Sequence, residues 1–208
     1  MDELRKTYHD RIAALRKRTI EIVRDAADAV ENVTASLLEG DLAGGHVVVT
    51  DAAAAAARVA AVESEVMDLL ALQSPVARDL RLVLASWRIA QIAELCLGLA
   101  RTLAGRIASA PEVMTPALRS LAYEIGAETV ELLRKDNVAW TVLDADAARA
   151  VIAGADSSRD FQRRYLTELF GLRDISVEGA VDLGLTARAY ERLTDHAVEI
   201  AERVLTVG

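Results

Sequence analysis

Along this chain apolar residues return every three or four positions, and the pattern holds through six long runs. Spacing of i, i+3, i+4 and i+7 places side chains on one helix face, so each run predicts an amphipathic α-helix. The first spans about Asp2 to Leu38, with Ile12, Leu15, Ile22, Val23, Val30, Val33 and Leu37 as its stripe, and Gly40 ends it. The second spans Asp41 to Gln73, with Asp41 as its cap, an alanine tract over 52–57, and then Val59, Val62, Val66, Leu69 and Leu70. Ser74-Pro75 stops that helix and opens the third, because proline fits a first helical turn. The third runs to about Ser109 and is closed by Pro111. Thr115-Pro116 opens the fourth, whose stripe is Leu118, Leu121, Ala122, Ile125, Thr129, Leu132 and Leu133, with fraying expected between Asp136 and Thr141. The fifth starts at Asp144 or Asp146 and ends at Gly171, and the sixth runs from near Ser176 to the C-terminus. No stretch alternates with β-branched residues between hairpin turns, so no strands are expected.

Helices of this length extend roughly 40–50 Å at 1.5 Å per residue, and short links make neighbours antiparallel. A degenerate internal repeat groups them. Gly40-Asp41-Leu42-Ala43 followed by Asp51 parallels Leu143-Asp144-Ala145-Asp146 followed by Asp156, which pairs Asp41 with Asp146 and Asp51 with Asp156. Ala93-Glu94-Leu95 parallels Tyr190-Glu191-Arg192, with Ala100 set against Ala197. The expected fold class is therefore all-α, a tandem repeat of two antiparallel three-helix bundles covering residues 1–110 and 111–208.

Composition narrows the function classes. Hydrophobic residues are 52% of the 208, but many are alanine, while aromatics are 4% and prolines number 3, a balance that favours long helices. The net charge of -8 opposes nucleic-acid binding and, more weakly, docking on anionic lipid. Cys96 is the only cysteine, which excludes an intramolecular disulfide and a multi-cysteine zinc site; within an apolar pattern it reads as a buried, inert thiol. Met1 to Asp10 is charged and unlike a signal peptide, and no run of about 18 apolar residues occurs, so a cytoplasmic location is expected.

Two acidic pairs carry candidate chemistry. Asp156 and Asp160 share a face of the fifth helix, as do Glu191 and Asp195 on the sixth, and like charges at this spacing cost a bare helix about 0.2–0.5 kcal/mol. At 100° per residue all four lie opposite the apolar arcs, Tyr165, Leu166 and Leu169 on one helix and Leu193, Ala197, Ile200, Ala201 and Val204 on the other. A hard cation bound by carboxylate oxygens would offset the repulsion. Ordinary solvation would also do so, and Arg164, four residues after Asp160, offers a surface salt bridge. His196 points about 100° away from Asp195 and reads as a surface or salt-bridged histidine. Trp87 and Trp140 read as core or rim residues. The chain has no Glu-x-x-His pair, no phosphate-binding glycine loop and no nucleophile elbow.

Two stretches are more specific: Leu72-Gln73-Ser74-Pro75-Val76-Ala77-Arg78-Asp79-Leu80-Arg81, and Tyr190-Glu191-Arg192-Leu193-Thr194-Asp195-His196-Ala197-Val198-Glu199-Ile200-Ala201-Glu202. Together with the tandem trio of helices they resemble the PhoU family of phosphate-transport regulators over nearly the whole chain. The resemblance implies a non-catalytic adaptor between the ATPase subunit of a phosphate ABC transporter and a sensor histidine kinase. It also implies a metal (iron, zinc or another divalent or trivalent ion) on helical acidic pairs, here Asp156, Asp160, Glu191 and Asp195, with Glu199 and Glu202 as further oxygen donors. Glu199 stands where the family often has Asn. The first half departs from the pattern, setting Asp51 and Ala55 against the first pair and Glu94 and Gly98 against the second. Arg78, Asp79 and Arg81 are either partner contacts or corner ties. A metal-dependent enzyme or metal store, a plain structural bundle, and monomer against homodimer all stay open.

Overall fold

The computed structural model describes residues 2–108 and 114–207, with side chains from Lys6 onward. Its six helices are α1 (Asp2–Glu39), α2 (Leu42–Gln73), α3 (Ala77–Ala104), α4 (Pro116–Val142), α5 (Ala145–Gly171) and α6 (Val177–Leu205), with no strand among the described residues. Short polar side chains set most of the N-termini, each satisfying backbone N–H groups that have no partner within the helix. Asp41 accepts from the Ala43 N–H, Asp144 from Asp146 and Ala147, Ser176 from Gly179, and Thr115 from Leu118 with Pro116 in the first turn. Gly40 closes α1 at φ 74°, a left-handed conformation that glycine adopts without steric cost.

Three expectations change at the helix ends. Pro75 lies ahead of α3 rather than inside its first turn, since Val76 is the cap residue. α3 ends at Ala104, short of Ser109, in turns that run through Ala108. α4 does not fray at Asp136 but stays helical to Val142, because Asp136, Ala139 and Trp140 continue its buried face. Pro111 and the expected boundary at residue 110 lie outside the described residues.

α1, α2 and α3 pack on one another, and so do α4, α5 and α6. α1 also packs on α4 and α3 on α6, so those four helices form the centre while α2 and α5 lie outside it. Burial gives the true repeat register. Every buried position of α4 has a buried counterpart on α1: Leu118 matches Leu15, Ile125 matches Ile22, Asp136 matches Val33 and Trp140 matches Leu37. On α2 and α5 the capping residues match as Asp41 and Asp144, and Val48, Ala55, Val59 and Val62 match Val151, Ser158, Gln162 and Tyr165. On α3 and α6, Ile92 matches His196, Ala93 matches Ala197 and Cys96 matches Ile200. The sequence-based pairings are therefore out of step, Asp41 with Asp146 by two residues and Ala100 with Ala197 by seven. Ala55, set there against Asp160, is fully buried and cannot share an outward face. In the correct register Asp156 and Asp160 correspond to Ala53 and Ala57, so the first half lacks both carboxylates of this pair.

The junction of α1 with α4 uses the same contact twice. Arg16 on α1 donates to the carbonyls of Trp140 (3.0 Å) and Thr141 (2.7 Å) near the end of α4, and its guanidinium stands over the Trp140 ring at 5.4 Å. Arg119 on α4 donates to the Leu38 carbonyl near the end of α1. These guanidinium groups satisfy C-terminal carbonyls and meet the negative end of each helix dipole. Midway, a Cβ on Gly126 would collide with the Thr34 side chain, so only glycine admits this approach of the two helices. Thr34 donates to the Val30 carbonyl (2.7 Å) and meets the Tyr190 hydroxyl at 2.8 Å, tying α1 to α6. A second buried network joins Thr129, Thr194, Ser158 and Gln162, with Ser158 and Thr194 2.8 Å apart.

The most apolar 18-residue stretches of α2 and α3 have mean hydropathy 1.3 and 1.5, enough by length and composition alone to cross a membrane. In this fold both helices pack against α1 and each other.

Removing either clasp leaves C-terminal carbonyls without their charged donor. Arg16→Met and Arg119→Met are each expected to lower unfolding free energy by about 1–3 kcal/mol, read from urea midpoints at constant slope. A change below experimental error in both would show that solvent replaces the clasp at no cost.

Candidate functional site on the outer face of helices α5 and α6

α5 and α6 are neighbours, and their outward faces carry the acidic quartet. The side chains of Asp156 and Asp160 are 83% and 63% exposed, and Glu191 and Asp195 are about half exposed. Tyr165, Leu169, Leu193, Ala197, Ile200, Ala201 and Val204 are buried beneath them, as the rotation predicts.

Arginines that the sequence pattern did not single out claim these acids. Arg159 on α5 lies 3.1 Å from Asp156 and reaches across to Asp195 on α6 at 3.5 Å. Arg163, not Arg164, pairs with Asp160, while Arg164 stands over the Phe161 ring at 5.5 Å. Arg188 meets Glu191 at 2.5 Å, Arg88 of α3 meets Glu199 at 3.7 Å, and Arg203 meets Glu202 at 3.7 Å. The i, i+3 spacing of Asp156/Arg159, Asp160/Arg163 and Arg188/Glu191 was the available signal, since such pairs are neighbours on a helix surface. Arg159, Arg163, Arg188, Gln162, Leu166, Glu191 and Asp195 line a groove of about 440 Å³ between the two helices.

The test of fit for a metal is what stands between the carboxylates. Arg159 already bridges the two helices' acids as a cation, and no three His, Cys, Asp or Glu side chains among the described residues form a group able to hold an ion. As placed, the quartet suits a guanidinium better than a metal, and a metal ion would have to displace Arg159. Asp51 lies apart, in a groove of α1 and α2 with Asp25, Asp28 and Arg58.

His196 is buried, not on the surface. α6 packs on three helices, so its buried arc is wider than its aliphatic stripe, and it takes in the position matching Ile92. Neither ring nitrogen has a hydrogen-bond partner among the described residues, and Nδ1 lies 3.8 Å from Glu199 Oε1. Burial lowers its pKa below the ordinary histidine value, against the pull of Glu199. Cys96 is fully buried, as expected, and its thiol pKa is pushed up by burial and then by Asp136 and Glu199. Trp140 is fully buried and Trp87 half-buried, in line with the core-or-rim expectation.

The second candidate surface is the corner between α2 and α3. Burial, a hydrogen bond with Asp79 and the charge of Asp79 push the Tyr8 phenol up to about 12, so Asp79 ties the corner to α1. Arg78 and Arg81 are exposed and form no ion pair among the described residues. Ser74 and Ala77 hold φ of 45° and 49°, left-handed values that cost a non-glycine residue about 1 kcal/mol or more. Leu72 and Val76 stand 70% and 73% exposed beside them.

Comparison with known proteins agrees with this fold. The chain is 34% identical over 209 residues to phosphate-specific transport system accessory protein PhoU homolog 1 of Mycobacterium leprae, covering 97% of this chain and 92% of that one. PhoU homolog 2 of Mycobacterium tuberculosis is 31% identical over 207 residues, with coverage of 97% and 96%. The crystal structure of PhoU from Pseudomonas aeruginosa superposes with a TM-score of 0.90 at 20% identity, covering 96% of this chain and 98% of that one. The phosphate transport system regulatory protein PhoU from Streptococcus pneumoniae gives 0.88 at 17% identity, with 96% of each chain covered. No protein-family model matches the chain.

The burial of His196 fixes the direction of a pH effect. A histidine whose folded pKa is depressed contributes stability that is complete above its unfolded pKa, about 6.5, and is lost as pH falls below that value and through the folded pKa. His196→Ile, which installs the residue of the matched position Ile92, is expected to flatten the loss of urea resistance between pH 7.5 and 5.5. Equal slopes in both proteins would show that His196 does not carry it.

Proposed function

The chain belongs to the PhoU family, and on that premise we propose that it is a non-catalytic, cytoplasmic regulator of phosphate uptake and phosphate-starvation signalling. In this reading it links the ATPase subunit of a phosphate ABC transporter to a sensor histidine kinase and restrains signalling when phosphate is plentiful. The observation that carries the reading is the match over nearly the full length to relatives named as accessory proteins of phosphate-specific transport. The α2–α3 corner supports it physically. Arg78 and Arg81 are charges without an internal partner, beside exposed Leu72 and Val76 on backbone held in sparsely populated conformations, and such strain gathers at functional surfaces. The corner is proposed as the partner-binding surface, with Asp79 holding it against α1 through Tyr8.

A second reading, a metal-dependent enzyme or metal store, draws on one observation: α5 and α6 bring Asp156, Asp160, Glu191 and Asp195 to one exposed face, with Glu199 and Glu202 along the same helix. It requires Arg159 to give way to iron, zinc or another multivalent ion.

Both readings are open to direct test. Tagged protein is expected to retain the transporter ATPase or the sensor kinase from extracts of phosphate-replete cells, and Arg78→Glu with Arg81→Glu to lose at least tenfold of that capture. Absence of both partners with and without phosphate would overturn the adaptor reading. For the second, elemental analysis of protein purified without chelators is compared with an Asp160→Ala, Asp195→Ala double variant. Equal metal in the two removes the proposed metal site.

A further inference from the structure

The last two turns of α4 hold a group of buried polar atoms that nothing in the fold satisfies. Both oxygens of Asp136, Oδ1 of Asn137 and Nε1 of Trp140 have no hydrogen-bond partner among the described residues, and neither has Nε of Arg16, the side chain that clasps this helix end. Asp136 is completely buried on the same face as Leu133 and Trp140, and the matched position in the first half is Val33. Native interiors rarely leave such atoms unpaired, and a carboxylate without a counter-charge is the costliest case.

Among the described residues none offers Asp136 a counter-ion. On α1 the nearby cation, Arg16, is engaged with the Trp140 and Thr141 carbonyls. On α4 itself, Arg134 is directed outward to Asp28 and Glu31, and Lys135 to Glu131. On α5 the charges Asp146, Arg149, Asp156 and Arg159 are exposed and paired among themselves or with α6. On α6, Glu199 is drawn to Arg88 and His196. From α3, the Cys96 thiol is pushed up in pKa by both Asp136 and Glu199, so another negative charge acts on the same region. Each of these would oppose or fail to stabilise an ionised Asp136.

We propose that Asp136 makes the end of α4 a conformational release, closed while its carboxyl is protonated and opened when it ionises. Opening would admit water to the carboxylate and would strain the Arg16 clasp, which joins the two halves of the molecule. Burial raises the carboxyl pKa well above the ordinary aspartate value, so the release answers to rising pH. The sign is opposite to that of His196. The protonated fold is fully stable below the unfolded pKa of about 3.9 and loses stability as pH rises towards the folded value. This release is a property of the end of α4 alone and is independent of any role in phosphate regulation.

The test is hydrogen exchange of residues 132–142 in the whole protein between pH 5 and 8, corrected for intrinsic exchange. In the native protein the local opening constant is expected to grow up to tenfold per pH unit. Asp136→Asn and Asp136→Val are expected to remove that dependence, and the valine variant, which copies the first half, to exchange more slowly throughout. If the asparagine variant does not fold, the valine variant decides alone. A native profile without pH dependence, or an unchanged slope in Asp136→Val, would overturn the proposal.

Discussion

The structure depends on two helix ends that each borrow a cation from the other helix. α1 and α4 run antiparallel, and each ends in carbonyls that its own backbone cannot satisfy. Arg16 supplies donors to the end of α4, and Arg119 to the end of α1. Because the two arginines occupy matched positions of the repeat, one duplicated residue closes both ends of the junction. Gly126 then lets the helices approach closely enough for Thr34 to reach Tyr190 on α6. Without this junction the two trios would share little beyond the α3–α6 contact.

The halves built around that junction differ in polarity, in the same sense inside and outside. Inside, the second half is the more polar. Ser158, Gln162, Tyr165, Asp136, His196 and Thr194 occupy positions that are Ala55, Val59, Val62, Val33, Ile92 and Ala90 in the first. Outside, the same holds: Asp156, Arg159, Asp160 and Arg163 on α5 correspond to Ala53, Ala56, Ala57 and Ala60 on α2. Hydrogen bonds among Ser158, Gln162, Thr129 and Thr194 satisfy part of the polar interior. The side-chain polar atoms of Asp136 and His196 have no hydrogen-bond partner among the described residues. Burial lowers the pKa of His196 and raises that of Asp136, so the two are expected to respond to pH with opposite sign.

The six helices and most of their caps were legible in the sequence because a short polar residue before an apolar run has one physical use there. The repeat register was not, because alanine at consecutive positions of α2 matches any shift equally well and only burial separates Ala55 from Ala53. The burial of His196 and Asp136 was hidden for a related reason. Periodicity assigns each helix one apolar stripe, whereas α4 and α6 each touch three others and bury more of their circumference. The acidic face was legible as acids and not as a site, since the arginines between them belong to the same i, i+3 pattern and neutralise the charge that the acids alone would present.

Electrostatics argues for treating that face as already complete. Paired carboxylates at i, i+4 repel by about 0.2–0.5 kcal/mol on a bare helix, and that repulsion calls for a cation. Arg159 is one, delivered by the chain itself and placed within 3.5 Å of acids on both helices. Arg163 and Arg188 do the same for Asp160 and Glu191. Each such exposed pair is worth roughly 0–1 kcal/mol, too little to hold a rigid arrangement against a stronger ligand. A surface of this kind exchanges partners cheaply: an incoming acidic chain can take the arginines, and an incoming basic chain or ion can take the carboxylates. The matched positions on α2 are Ala53, Ala56, Ala57 and Ala60, so the charged groove of the first half, with Asp25, Asp28, Asp51 and Arg58, lies on a different face.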